Sequence, residues 1–346
     1  MVPRLLPTGN RTRSFWAKTA LLAALWATAF FASFLVGRYP VEPLTVYGII
    51  RDSLLRLPAQ VEDTLITVVM EVRLPRILAA LLVGGALSVS GASYQTLFKN
   101  PMVSPDLLGV SAGAGFGAAL TMLYGCSWWQ TQLSAFCFGA AAVMAAYLIS
   151  RIFGGQNLTI LVLAGVVVSS LFQALISILK TLADPEDALP SITFWLMGSL
   201  GKADNQDVLV LLPASLFSLG LIFFFRHSIN ALAAGEEEAA SMGVNVPAVK
   251  LAVIVSSTLL TVCSVSICGI IGWIGMVVPH IARLLVGASY SRLASTSFLI
   301  GGLFLLLIDN LIRGSFGVDL PLGVVTALVG TPVFVVLLSR TRKVWS

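Results

Sequence analysis

Charge is what this sequence has least of. Only 11% of its 346 residues are Asp, Glu, Lys or Arg, against 57% apolar residues and a mean hydropathy of +0.94. Soluble chains hold roughly 45–50% apolar residues, so lipid has to solvate much of this one. No stretch is polar enough to form a separate soluble domain. Cysteine is scarce too. Cys126, Cys137, Cys263 and Cys268 make no C-x-x-C pair and have no histidine at zinc spacing, which leaves them as small apolar filler. There is no G-x-x-x-x-G-K-[ST], so the chain cannot hold ATP in the P-loop manner. No catalytic or metal-ligating constellation emerges, and no cofactor is expected.

What is present is a series of apolar stretches bounded by charge, Pro or Gly. A spanning helix needs ~20 mainly apolar residues. On that measure the spans fall near 16–36, 76–97, 106–124, 131–151, 158–180, 208–225, 249–268, 271–288, 295–312 and 322–339. The expected fold is an all-α integral membrane protein of about ten transmembrane helices, forming one membrane-embedded domain over 1–346. The first run follows basic residues, as a signal peptide would. It is long for that role and lacks an A-x-A-type site before "GRYPVEP", so it reads as a retained helix. The region 38–72 mixes charge and apolar residues too finely to cross and reads as an outer loop with an interfacial helix. "PSITFWLMGSL" (190–200) is too short to span and reads as interfacial or re-entrant.

With the N-terminus in the cytoplasm, thirteen Lys and Arg fall inside and eight outside, accounting for all 21. That is the positive-inside sign, and an even number of spans returns the C-terminus to the cytoplasm. The chain is therefore expected to be a multi-pass membrane protein with both termini in the cytoplasm.

Within the longest inner loop, 226–250, lies "GEEEAASMG". Glu236, Glu237 and Glu238 place negative charge in a first helical turn, where the helix dipole favours it. Gly243 suits a left-handed cap, so two short helices should flank Gly235. Charge runs are usually solvated connectors. Here Leu232, Ala239, Ala240, Met242 and Val244 should leave a small apolar face open to the cytoplasm, which suits a docking surface for a soluble partner.

Other segments carry two readings. Arg73, Arg76 and Arg313 gather at outer helix ends, where arginines either anchor at headgroups or grip an acidic partner; Asp309 stands four residues before Arg313 as a local ion partner. Pro75 fits the first turn of the second span. "KNPMVSP" (99–105) cannot be continuous helix, and such backbone is tolerated at membrane depth only under cover of protein or water. Ser169, Ser170, Gln173 and Ser177 share one broad helical face, suited to a polar path or to helix–helix contact. Gly109–Gly113 spell G-x-S-x-G, but no strand precedes Ser111, and small-residue packing at Gly109, Gly113 and Gly117 explains them without chemistry. His280 reads as structural. An ion-coupled transporter would bury an acidic residue near midplane, and Asp309, the only candidate, lies near the outer end.

The chain resembles the FecCD-type permease subunits of type II ATP-binding-cassette importers. The resemblance rests on "VRLPRILAALLVGGALSVSGASYQTLFKNPMVSPDLLGVSAGAG" (72–115), "FWLMGSL" (194–200), "GEEEAASMGV" (235–244), "GIIGWIGMVVPHIARLLVG" (269–287) and "LPLGVVTALVGTPVFVVLL" (320–338), in the family's order. It implies a homodimer around a central path, two cytoplasmic ATPase subunits and an extracytoplasmic binding protein, set in lipid with no nucleic acid. The chain itself is then no enzyme. It implies ATPase coupling by Leu232, Gly235, Glu236, Glu237, Glu238, Ala239, Ala240, Met242 and Gly243. Docking of the binding protein falls to Arg73, Arg76 and Arg313. Asn100 and Met102 are placed in a cytoplasmic gate, with Asn157 and Thr159 as a second gate segment whose "NLT" departs from the family's small-hydroxyl pattern. Ser169, Ser170, Gln173 and Ser177 are placed in the path. The family takes up iron chelates, haem, cobalamin and some oxyanions, and a ferric siderophore is the expected cargo.

Overall fold

The computed structural model describes residues 8–57, 61–154, 157–315 and 320–345; Arg4, one of the inner basic residues counted above, lies outside them. The described residues are helical with no strand. In chain order they form α1 (Thr8–Ser33), α2 (Pro43–Leu55), α3 (Asp63–Ile66), a π-helical segment (Thr67–Arg73), α4 (Leu74–Leu97), a 3-10 turn (Pro105–Leu108), α5 (Val110–Leu123), α6 (Trp128–Gly154) and α7 (Leu158–Leu182). There follow α8 (Ala188–Leu196), α9 (Asn205–Phe224), α10 (Arg226–Ala234), α11 (Glu236–Ser241), α12 (Val246–Cys268), α13 (Ile274–Val286), α14 (Tyr290–Ser315) and α15 (Leu322–Trp345).

Ten of these helices coincide with the ten expected stretches. Six of them, α1, α6, α7, α9, α12 and α14, are long and apolar enough to cross a membrane; α5, α13 and the Leu322–Leu337 part of α15 are shorter apolar helices. The other, α4, is 24 residues long but carries Ser88, Ser90, Ser93 and Gln95, all buried. Its polar groups are tolerable because protein, not lipid, surrounds it. Ser90 bonds the Ser257 carbonyl at 3.0 Å, and the Ser93 and Tyr290 hydroxyls meet at 2.6 Å.

Close approach by small residues holds the bundle together, as expected where hydrophobic driving force between helices is weak. A Cβ on Gly91 would lie 1.8 Å from the Gly275 carbonyl oxygen, and one on Gly84 2.2 Å from that of Gly301, so α4 touches α13 and α14 backbone to backbone. Gly113 and Gly117 press α5 onto the α6 backbone at Phe138 and Ser134 in the same way. That is the packing role expected of the G-x-S-x-G stretch. Ser111 donates to the Asp106 carboxylate, not to a histidine, and His280 is buried with neither ring nitrogen hydrogen-bonded.

Pro75 stands in the first turn of α4, as expected, within helical chain that runs on from Asp63. Its missing N–H and its ring would disturb an ordinary helix at the Glu71 carbonyl. The preceding segment widens to i→i+5 bonding instead, with Leu74 N reaching Val69 O, a device often found at such irregularities. Within the region 38–72 the separate helix is α2, and 63–73 belongs to the entry into α4.

Helix α8 has only nine residues and ends at Gly198, whose φ of +75° is the left-handed conformation that favours glycine. The backbone groups freed there are paired: Ser199 N to Cys268 O at 2.7 Å, Leu322 N to Gly198 O at 2.9 Å and Gly323 N to Met197 O at 3.0 Å. A short helix inside the bundle is thereby satisfied without water.

Candidate functional site

Two helices, α10 and α11, form the acidic loop, meeting at Gly235 as expected. α11 ends on Gly243 at φ +79°, with Gly243 N bonded to Ala240 O at 2.9 Å and Val244 N to Ala239 O at 3.0 Å. This is the paired bonding of a glycine-ended helix. The three glutamates are exposed on its first turn; Glu236 pairs with Lys250 at 2.7 Å, while Glu237 and Glu238 make no ion pair among the described residues.

The expected open apolar face is only half there. Met242 is 71% exposed and Ala240 is exposed, but Leu232 and Ala239 are 2% and 0% exposed. They belong to one cluster with Leu97 and Val103, at the end of α4 and in the loop after it, and with Val246 and Val249 of α12. The loop folds back onto the ends of the membrane helices because burying these two side chains there is more favourable than leaving them in water. The sequence pattern alone could not show it, since Leu97 and Val103, part of the cover, lie over 100 positions away.

That same apolar cluster reaches the "KNPMVSP" loop. Asn100 and Met102 are exposed, and Asn100 Oδ1 accepts from Met102 N at 2.9 Å, a local turn that holds the non-helical backbone. Lys99 Nζ donates to the Ala234 carbonyl at 3.3 Å, tying this loop to the junction of α10 and α11. Asn157 and Thr159 are exposed at the start of α7, where Asn157 Oδ1 caps the helix through Thr159 N at 2.9 Å.

Along α7, Ser170, Gln173 and Ser177 are exposed on one side of the helix. Ser170 and Ser177 donate to the Val166 and Gln173 carbonyls, each at 2.9 Å. Ser169 departs from them, partly buried and turned toward Gly109, where an added Cβ would lie 3.2 Å from its Oγ.

At the opposite end of the bundle Arg76 and Arg313 converge on Asp309 of α14. Asp309 is fully buried; Arg76 of α4 binds its Oδ1 through Nε at 2.9 Å and Nη2 at 2.8 Å. Arg313 Nε approaches Oδ2 at 2.9 Å as an ion pair without hydrogen-bond alignment. Arg73 donates to the carbonyls of Phe34 and Tyr39 instead, stitching the π-helical segment to the end of α1 and the chain after it; burial lowers its guanidinium from the ordinary arginine value. Asp309 thus has two cations already and offers no coupling-ion site. Two of the three guanidinium groups share that one carboxylate, while the same end also carries Glu42, Asp52, Glu62, Asp63, Glu71, Asp184, Glu186, Asp187, Asp204 and Asp207, so it holds no net positive charge. The cross-helix pair of Arg76 and Asp309 was invisible in the sequence, where only the i, i+4 neighbour Arg313 could be seen.

The model of the FecCD transport family matches residues 24–340. The molybdate import system permease protein MolB of Haemophilus influenzae is 37% identical over 276 residues, covering 80% of this chain and 82% of that protein. A probable iron chelatin transport system permease of Helicobacter pylori is 39% identical over 284 residues, covering 82% and 85%. Among solved structures, an inward-facing conformation assigned to the metal-chelate type of ABC transporter superposes with a TM-score of 0.83 at 34% identity, covering 94% of this chain and 99% of the other.

Proposed function

The chain belongs to the FecCD transport family and is a membrane-spanning permease of ATP-binding-cassette importers; from that premise we propose that it works as a homodimer carrying a ferric chelate inward, driven by two cytoplasmic ATPase subunits. One observation carries the drive: α11 and Met242 at its end present Glu237, Glu238 and a thioether to solvent, while Ala239 of α11 and Leu232 of α10 are packed into the cluster that holds the 99–105 loop. A soluble ATPase gripping the exposed side would move the buried side with it. Cores are close-packed and transmit displacement rather than absorb it. Motion would reach Asn100 and Met102 by that packing and by the Lys99–Ala234 bond, opening the cytoplasmic gate together with Asn157 and Thr159.

The path would run along the face of α7 that carries Ser170, Gln173 and Ser177. Neutral hydroxyl and amide groups there offer weak contacts suited to passage rather than capture. The binding protein would meet the end bearing Arg73, Arg76 and Arg313, where guanidinium groups would pair with acidic side chains on its lobes and fix its orientation. Termini and α11 lie on the cytoplasmic side in this arrangement.

A ferric chelate fits the 39% identical iron chelatin permease and the metal-chelate type of the solved neighbour, whereas the 37% identical MolB carries molybdate. The test is uptake into proteoliposomes bearing the permease, its ATPase and its binding protein. Iron-loaded siderophore should accumulate on addition of ATP, with haem, cobalamin and molybdate as competitors. Accumulation of molybdate in preference to every chelate would reject the cargo while leaving the importer in place.

A further inference from the structure

At the end of the bundle that carries α11, a cavity of about 310 Å³ opens between the last turn of α6 and the first turns of α7 and α12. Its polar wall is made of donors. Arg151 and Lys250 bring two cations, and the N-termini of α7 and α12 add the partial positive charge of two long helices. Asn157 and Asn245 cap those helices by accepting at Oδ1, from Thr159 N at 2.9 Å and Ala248 N at 3.2 Å. Capping uses the carboxamide oxygens and turns the two amide NH2 groups into spare donors. Ser150 stands in the same wall, 4% exposed, and adds a hydroxyl to it. No carboxylate is among the lining residues; the nearest described one is Glu236, held by Lys250 at 2.7 Å.

The other wall is apolar: Leu158, Leu161, Leu251 and Ile254. Leu251 is 46% exposed, and Ile152 and Phe153, next to Arg151 in sequence, are 74% and 77% exposed. The cavity therefore adjoins bare hydrocarbon surface at the depth where a membrane helix ends.

We propose that this cavity binds the phosphate of an anionic phospholipid from the adjoining leaflet, with the acyl chains lying against the apolar wall. A cluster of donors with no lining carboxylate selects an anion. The apolar wall beside it selects an anion that carries hydrocarbon, as basic pockets between membrane helices do. The site needs no assumption about cargo. It reaches the acidic helix because a phosphate on Lys250 shares that ammonium with Glu236, and this consequence rests on reading α11 as the ATPase-coupling element.

The test uses the permease with its ATPase in nanodiscs of phosphatidylcholine doped with phosphatidylglycerol, retained lipid being counted by native mass spectrometry. Phosphatidylglycerol should be retained over phosphatidylcholine. Arg151→Gln should lower that retention about fivefold, the factor of one basic side chain at an anionic surface. Ser150→Leu, which fills the cavity without changing charge, should also lower it. Equal retention of the two lipids, or unchanged retention in both variants, overturns the site. Displacement by millimolar inorganic phosphate overturns the lipid as its source. Nanodiscs offer both leaflets alike, so the result does not depend on sidedness. Lipid retained with an ATPase rate indifferent to phosphatidylglycerol would overturn the link to α11 alone.

Discussion

Lys99 Nζ bonds the carbonyl oxygen of Ala234 at 3.3 Å, joining the non-helical loop after α4 to the turn between α10 and α11. Beneath that bond, Leu232 and Ala239 share a buried cluster with Leu97 and Val103. The loop that reads as a gate and the loop that reads as a lever are one packed unit, and the consequences divide by which side of it is altered.

On the solvent side, changing Glu236, Glu237 and Glu238 together to Ala should abolish ATP-driven uptake with little change in membrane yield. Gly243→Val should act similarly, since its φ of +79° costs a branched residue about 1–2 kcal/mol or more while nothing lies within 4 Å to clash. Transport and ATPase co-purification are measured together; full uptake with a normally bound ATPase would reject α11 as the coupling element.

On the buried side, Leu232→Ala should destabilise the permease by about 2–5 kcal/mol, the cost of removing a well-packed large aliphatic side chain. Met242→Ala, at an exposed position, should leave the melting temperature unchanged and weaken ATPase binding instead. Thermal melts of the detergent-solubilised permease alone, beside an ATPase pull-down, separate the two effects.

At the other end, Asp309→Asn should lower thermal stability by about 3–5 kcal/mol with no partner protein present, because it strands Arg76 and Arg313 in buried surroundings. Replacing Arg73, Arg76 and Arg313 by Glu should abolish docking of the binding protein. Wild-type docking should weaken as salt rises, since the long-range attraction that brings the partners together is screened within ~10 Å at 0.1 M. Undiminished affinity in the triple variant, with no salt dependence, would return these arginines to a purely structural role.

For sidedness, in a background cleared of Cys126, Cys137, Cys263 and Cys268, a cysteine introduced by Ala203→Cys should react with an impermeant reagent added to intact cells. One introduced by Asn245→Cys should react only after lysis. Labelling of position 245 from outside would invert the topology and move α11 away from any cytoplasmic ATPase.

The places of the ten apolar helices, the two short helices around Gly235 and the glycine cap at Gly243 were legible in the sequence. Each depends on residues within a turn or two: runs of apolar side chains, a first turn of carboxylates, a residue free to take positive φ. The serine face of α7 was legible except at Ser169, which a neighbouring helix's Gly109 draws inward. Everything decided by residues distant in the chain had to wait for the tertiary structure. Leu232 and Ala239 looked exposed because their cover comes from α4 and the loop behind it. Arg76 looked like a free outer charge because Asp309 lies 233 positions away. Pro75 was legible as a first-turn residue of α4, but the π-helical widening of the chain before it was not. Local chemistry settles which segments become helices; which of their faces meet lipid, water or one another is set by contacts that no local pattern encodes.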